Sequence, residues 1–185
     1  MKKEDKFLNI FPVKSHRLAG FDYGSNGSYF VTIKTRQMRP YLGSIVQTCN
    51  STSLKKAAEH NKETCFGTSR QLTEIGLIAE KNWLAIPSHF PFVRLDNFEI
   101  MPNHIHGILV IEKSGKKTWC ANEFKSQSET LGMIINRFKG SVTRYANTNK
   151  IEFKWHPRYH DSIIRDHDSL QNIRNYILKN PQKMA

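Results

Sequence analysis

Cysteine is scarce in this 185-residue chain. There are three, Cys49, Cys65 and Cys120, an odd number with no close pair. Neither a disulfide framework nor a zinc knuckle fits that count and spacing, so a cytoplasmic protein with reduced thiols is expected. Long apolar runs are also missing. None approaches the ~20 residues that cross a bilayer, so no membrane partner is expected. The opening Met1-Lys2-Lys3-Glu4-Asp5-Lys6 lacks the apolar centre of a secretory signal. Acidic residues are few: 16 Asp+Glu stand against 28 Lys+Arg, giving a net charge of +12. Such an imbalance disfavours acidic partners and favours a polyanion, nucleic acid before an anionic membrane.

What remains is a globular composition, 38% hydrophobic and 11% aromatic, in a chain long enough for one core. Residues 1–27 are polar, basic and glycine-containing, and read as an N-terminal arm. A single domain is expected over 28–181. Ser28 to Thr35 is a strand by its β-branched and aromatic content. Leu42–Cys49 and Cys65–Gln71 are candidates for a hairpin. Between them, 50–64 has no clear period and reads as a flexible loop. Leu72, Ile75, Ala79, Trp83 and Ile86 recur at helical spacing, with Pro87 as the stop. Val93 to Met101 alternates as a strand, with Val93, Leu95 and Asn97 on one face and Arg94, Asp96 and Phe98 on the other. Ile108-Leu109-Val110-Ile111 ends the next strand. Leu131, Ile134, Ile135, Phe138, Val142 and Tyr145 form the stripe of a second long helix, whose other faces carry Arg137, Lys139 and Arg144. Short extended pieces follow at 153–155 and 162–165. A last helix starts at Asp166 or Asp168, buries Leu170, Ile173 and Ile177, and stops at Pro181. There are no internal repeats. This order predicts an α+β sandwich of ferredoxin-like type, an antiparallel sheet with helices packed on it.

The chemistry concentrates in Met101-Pro102-Asn103-His104-Ile105-His106-Gly107. Side chains two apart on a strand share a face, so His104 and His106 stand together with Ile105 turned away. Two imidazoles can each give one nitrogen to a divalent metal, although such pairs also serve as ordinary surface or hydrogen-bonded histidines. A site needs a third group. In the last helix Tyr176 and Asn180 are four apart, on one side and off the apolar stripe. A tyrosine oxygen can attack phosphorus and form a covalent adduct. An amide oxygen one turn on can ligate a metal. Asn180 can equally be a helix C-terminal residue before proline, and Tyr176 an ordinary half-buried tyrosine. Tyr159, beside His156, His160 and Asp161, is the rival nucleophile. Arg137, Lys139 and Arg144 suit either DNA phosphates or a solvated helix face. Arg165 suits phosphate or an ion pair with Asp161.

Four segments together resemble the REP-associated tyrosine transposases of the single-tyrosine HUH (His-hydrophobic-His) superfamily, whose domain is called transposase IS200-like. They are 101–107, Tyr29-Phe30-Val31-Thr32-Ile33-Lys34-Thr35, Trp155-His156-Pro157-Arg158-Tyr159 with Ile163-Ile164-Arg165, and Tyr176-Ile177-Leu178-Lys179-Asn180-Pro181. The resemblance spans 17–181. It implies cleavage and rejoining of single-stranded or hairpin-forming repeat DNA through a 5′-phosphotyrosine, leaving a free 3′-hydroxyl. It implies Tyr176 as nucleophile and His104, His106 and Asn180 as ligands of Mg²⁺ or Mn²⁺. Arg137, Lys139, Arg144 and Arg165 are expected on the DNA. A homodimer, in which Tyr176 would serve the partner's site, is left open. Family members often carry a histidine three residues before the arginine of the late motif. Ser162 stands there in this chain, with His160 close by. Relatives often continue well past the Asn-Pro pair, whereas four residues follow Pro181 here. The rival expectations are a decayed, non-catalytic DNA-binding copy and a metal-dependent nuclease that uses water.

Overall fold

The computed structural model describes residues 18, 21–49, 66–114 and 129–183. Strand β1, Gly27–Lys34, leads through a 3-10 turn at Arg36–Met38 into the hairpin β2, Gly43–Cys49, and β3, Phe66–Leu72. Helix α1, Glu74–Leu84, and a short α2, Ile86–His89, follow. Then come β4, Val93–Met101; β5, His104–Ile111; α3, Leu131–Thr148; β6, His160–Ile164; and α4, His167–Lys183. The main sheet has the order β4-β5-β1-β6, antiparallel throughout. With β2-β3 set aside as a separate two-stranded sheet, this is the expected ferredoxin-like α+β arrangement. The expected loop 50–64 and most of the arm over 1–27 lie outside the described residues.

Period-two alternation on β1 and β5 divides the molecule into two layers. Tyr29, Val31, Ile33, Ile105, Leu109 and Ile111 point to the larger core, where Trp83 of α1 and Leu131, Ile134, Ile135, Phe138 and Val142 of α3 meet them. Phe30, Ile108 and Val110 point the other way, onto Leu170, Ile173 and Ile177 of α4. The second layer is small, and Ile177 is its fully buried centre. Gly107 faces the first layer, where a Cβ would lie inside the contact radius of the Trp83 indole, within 2.9 Å of Cη2. The glycine of the His-Ile-His-Gly motif is therefore a packing requirement of the indole beneath it.

Three details depart from the sequence reading. The register of β4 against β5 shifts between Leu95 and Phe98. This bulge at Asp96-Asn97 reverses the phase of the strand, so Phe98 joins Val93 and Leu95 at the main core. The expected facing of Asn97 and Phe98 is thereby inverted. Pro87 does not stop the second element outright: α1 ends at Leu84, and the proline opens the short α2 at its first turn, where its missing N–H is not needed. The last helix runs to Lys183 instead of stopping at Pro181. Its start is as expected, because the Asp166 carboxylate accepts the Ser169 N–H at 2.7 Å.

Candidate active site

A two-residue turn, Pro102-Asn103, joins β4 to β5 and delivers His104 as the first residue of its strand. The turn is fixed from outside. Leu42 N–H donates to the Pro102 carbonyl at 2.9 Å, and Thr35 donates both its N–H and its hydroxyl to the Asn103 carbonyl at 2.9 Å. His104 and His106 then face α4, with ring centroids 4.4 Å apart. Both are buried.

The far nitrogens of the two rings are held. His104 Nδ1 lies 2.6 Å from Asn103 Oδ1, and His106 Nδ1 lies 2.9 Å from Thr32 Oγ1. Asn103 Oδ1 only accepts, so His104 carries its proton on Nδ1 and keeps the Nε2 lone pair. The Thr32 hydroxyl can donate or accept, and it pairs with His106 Nδ1 in either tautomer. Burial, and then the nearby Lys34 charge, pushes the His104 pKa down to about 4. Burial, then His104 and Lys34, pushes His106 to about 3. Both imidazoles are therefore neutral at pH 7.

Helix α4 brings two side chains to these free nitrogens. The Tyr176 hydroxyl is 3.5 Å from His106 Nε2, and the Asn180 amide nitrogen is 3.5 Å from His104 Nε2. The partners are 70 and 76 positions apart in the chain. Phe30 stacks on His106 with centroids 5.4 Å apart and meets the Tyr176 ring edge-on at 6.2 Å. Tyr176 stays 42% exposed, whereas Asn180 is buried. The Tyr176 side chain is thus reachable from solvent while Phe30 and His106 steer its ring.

The donor set suits a divalent cation. Two neutral imidazoles stand side by side, each braced by an outer hydrogen bond of the kind metal-bound histidines make. A half-turn of the Asn180 amide exchanges its nitrogen for its oxygen. Among the described residues no group of three or more His, Cys, Asp or Glu is placed to hold a metal.

The α4 helix is also clamped at the sheet edge. Arg174, two residues before Tyr176, binds Asp96 through Nε at 2.9 Å and Nη2 at 2.5 Å. The β4 bulge presents this carboxylate, which the Arg174 guanidinium, above all, holds below the usual carboxylate range. Glu99 lies across the ladder from His106, and Arg70 binds its carboxylate. Sequence reasoning missed Thr32, Asn103, Asp96 and Arg174. Only Asn103, adjacent to His104, carried a local signal.

The remaining sequence candidates lie elsewhere. Tyr159 packs against the main core, in the layer away from the histidines. His160 and Ser162 sit opposite Thr32 and Phe30 on β1, so the family's histidine position falls on the histidine-bearing face. Arg165 follows the end of β6 that pairs with Ser28, at the other end of the sheet from His104. Arg137 lies on α3, with its guanidinium 5.8 Å from the Phe90 ring centroid. Arg144 lines a groove beside α3. Lys139 donates to the carbonyls of His156 at 2.9 Å and Arg158 at 3.1 Å. No described helix is long and apolar enough to cross a membrane.

No family model matches the chain. A protein of Haemophilus influenzae (strain Rd), described as uncharacterized, is 35% identical over 181 residues, spanning 91% of this chain and 87% of its own length. Among solved structures, a REP-associated tyrosine transposase bound to a REP hairpin superposes with a TM-score of 0.56 at 14% identity. The match covers 93% of this chain and 74% of that one. That likeness shows a shared α+β, transposase-like fold.

Proposed function

This chain belongs to the family of the uncharacterized Haemophilus influenzae protein, and on that premise we propose that it is a metal-dependent DNA strand transferase with Tyr176 as its nucleophile. The observation that carries the reading is the convergence at α4. Tyr176 and Asn180 meet the free nitrogens of His106 and His104, each at 3.5 Å. The transposase of similar fold was seen bound to a REP hairpin, and the +12 charge suits the same ligand class.

In this reading His104, His106 and Asn180 hold Mg²⁺ or Mn²⁺, and the two imidazoles favour Mn²⁺ on ligand grounds. Bound there, the ion would polarise the scissile phosphodiester and offset the charge that grows on it. Tyr176 Oη forms a bond to phosphorus as the bond to the 3′-oxygen breaks. The phenol proton passes to solvent and the leaving oxygen ends as a 3′-hydroxyl. The 5′-phosphate stays on Tyr176, and the reverse attack by a 3′-hydroxyl rejoins DNA. Phe30 and the Asp96–Arg174 clamp hold the phenol in its approach, the geometric part of catalysis. Thr32 and Asn103 keep the ligand nitrogens deprotonated.

The test is incubation with end-labelled single-stranded hairpin DNA and Mn²⁺, followed by a denaturing gel and peptide mass mapping. The expected product is a DNA adduct on the peptide that contains Tyr176. Cleavage without any adduct would assign the attack to water. Undiminished cleavage in excess chelator would remove the metal from the mechanism.

A further inference from the structure

We infer that the chain holds a second nucleic-acid site, a cationic groove between α3 and the 153–157 segment that takes the phosphate backbone of one DNA strand. The groove encloses about 680 Å³. Gly140, Thr143 and Arg144 of α3 form one wall, and Arg36, Lys154 and His156 stand on the other. No Asp or Glu lines it. The guanidinium and ammonium groups of Arg36, Arg144 and Lys154 make no ion pair among the described residues. The closest acid along the segment, Glu152, is bound by Arg39 at 2.9 Å.

The walls are rigid. Trp155 bridges to Thr35 across the sheet edge, Arg36 N–H donates to the Lys154 carbonyl at 2.8 Å, and the Trp155 indole N–H donates to the Lys139 carbonyl at 3.2 Å. Lys139 ties the 156 and 158 carbonyls to α3. Gly140 lies in the middle of α3, an 18-residue helix, and a Cβ there would meet nothing within 4 Å. The bare backbone leaves this wall open, so that a strand can lie close against it. Phosphate oxygens fit, since Thr143 and Asn147 add hydrogen-bonding groups between the cations. Contact from these cations to phosphate oxygens positions DNA without reading its sequence.

The groove opens at the same end of the sheet as the histidines. His156 N–H donates to the Lys34 carbonyl at 2.8 Å, and Lys34 pairs with His104 in the ladder. A strand held at His104 therefore reaches the groove around the end of β1. The choice of DNA as occupant rests on the proposed function, whereas the site itself rests on the groove's cationic lining.

The experiment measures fluorescence anisotropy of a labelled hairpin with a single-stranded tail, in a Tyr176→Phe background so that no chemistry intervenes. Arg144→Glu with Lys154→Glu should weaken binding at least about tenfold at 0.1 M salt and flatten the salt dependence by about two phosphates. Gly140→Leu should also weaken binding while leaving Tm unchanged or higher, because leucine is the better helix former. Folded groove variants that bind like their parent would overturn the site. So would DNA affinity untouched by Arg144→Glu alongside lost binding to anionic phosphatidylserine vesicles. An adduct test with Tyr176 intact, on an oligonucleotide too short to reach the groove, separates the two proposals. Adducts with unaffected groove variants defeat the groove alone, and weakened groove variants without adducts defeat the nucleophile alone.

Discussion

Gly107→Ala adds one methyl group between β5 and the indole of Trp83. The added Cβ would fall within 2.9 Å of Cη2 and 3.1 Å of Cε2, closer than real carbon contacts allow. Trp83 cannot retreat: it is fully buried, with Phe138 edge-on at 5.2 Å and Phe98 at 6.0 Å. Overpacking of a closed core costs about 1–3 kcal/mol. For a protein of this size that lowers Tm by about 2–12 °C, at roughly 2–4 °C per kcal/mol. The partner variant is Trp83→Phe, which opens room under residue 107 at its own cost in stability. The double variant should be less destabilised than the sum of the singles by about 1 kcal/mol or more, since contacting sites couple. Urea unfolding of the four proteins measures the cycle. Metal affinity at 25 °C should hardly change, because residue 107 faces away from His104 and His106. An additive cycle, or a Gly107→Ala protein as stable as the parent, would refute the packing argument.

Three further outcomes follow from the site. Thr32→Val leaves His106 Nδ1 without its outer partner and should weaken Mn²⁺ binding about 10- to 100-fold, read by calorimetry. Arg174→Ala should slow adduct formation more than it weakens DNA binding, because it unclamps the helix that carries Tyr176; single-turnover kinetics separate the two, and equal losses would contradict the clamp. The third outcome concerns pH. In the fold His104 and His106 titrate at about 4 and about 3, against about 6.5 in an unfolded chain. The unfolded chain thus binds protons first as pH falls. Stability of the metal-free protein is fully present above about 6.5 and declines progressively toward the folded values. Urea midpoints that stay level from pH 7 to pH 5 would contradict this.

The sheet was legible wherever periodicity spoke for itself. On β5 the alternation alone put His104 and His106 on one face. On α3 the apolar stripe named five of the six buried residues, missing Ala146 and including the half-buried Tyr145. The phase of β4 was hidden, because a bulge leaves no local mark beyond the Asp96-Asn97 pair and its cause is tertiary, the arginine of α4. The approach of Tyr176 and Asn180 to the histidines could not be read from spacing either. It depends on α4 docking through Ile177, and before folding only the family resemblance tied the two segments together. Lys139 looked like any exposed helix cation. Its ammonium is bound by two carbonyls from a segment 17 and 19 residues on, which helical periodicity does not reveal. The packing of Tyr159 against the main core, in the layer away from the histidines, was equally hidden from spacing.

The central claim is that Tyr176 is the residue that joins DNA. Its most direct measurement compares Tyr176→Phe and Tyr159→Phe on labelled hairpin DNA with Mn²⁺ on a denaturing gel. Tyr176→Phe removes one oxygen from a ring held by Phe30 and His106, so that variant should fold and bind DNA yet form no adduct. Tyr159→Phe should form one. A Tyr176→Phe protein that still forms the adduct, beside a Tyr159→Phe protein that does not, would contradict the account.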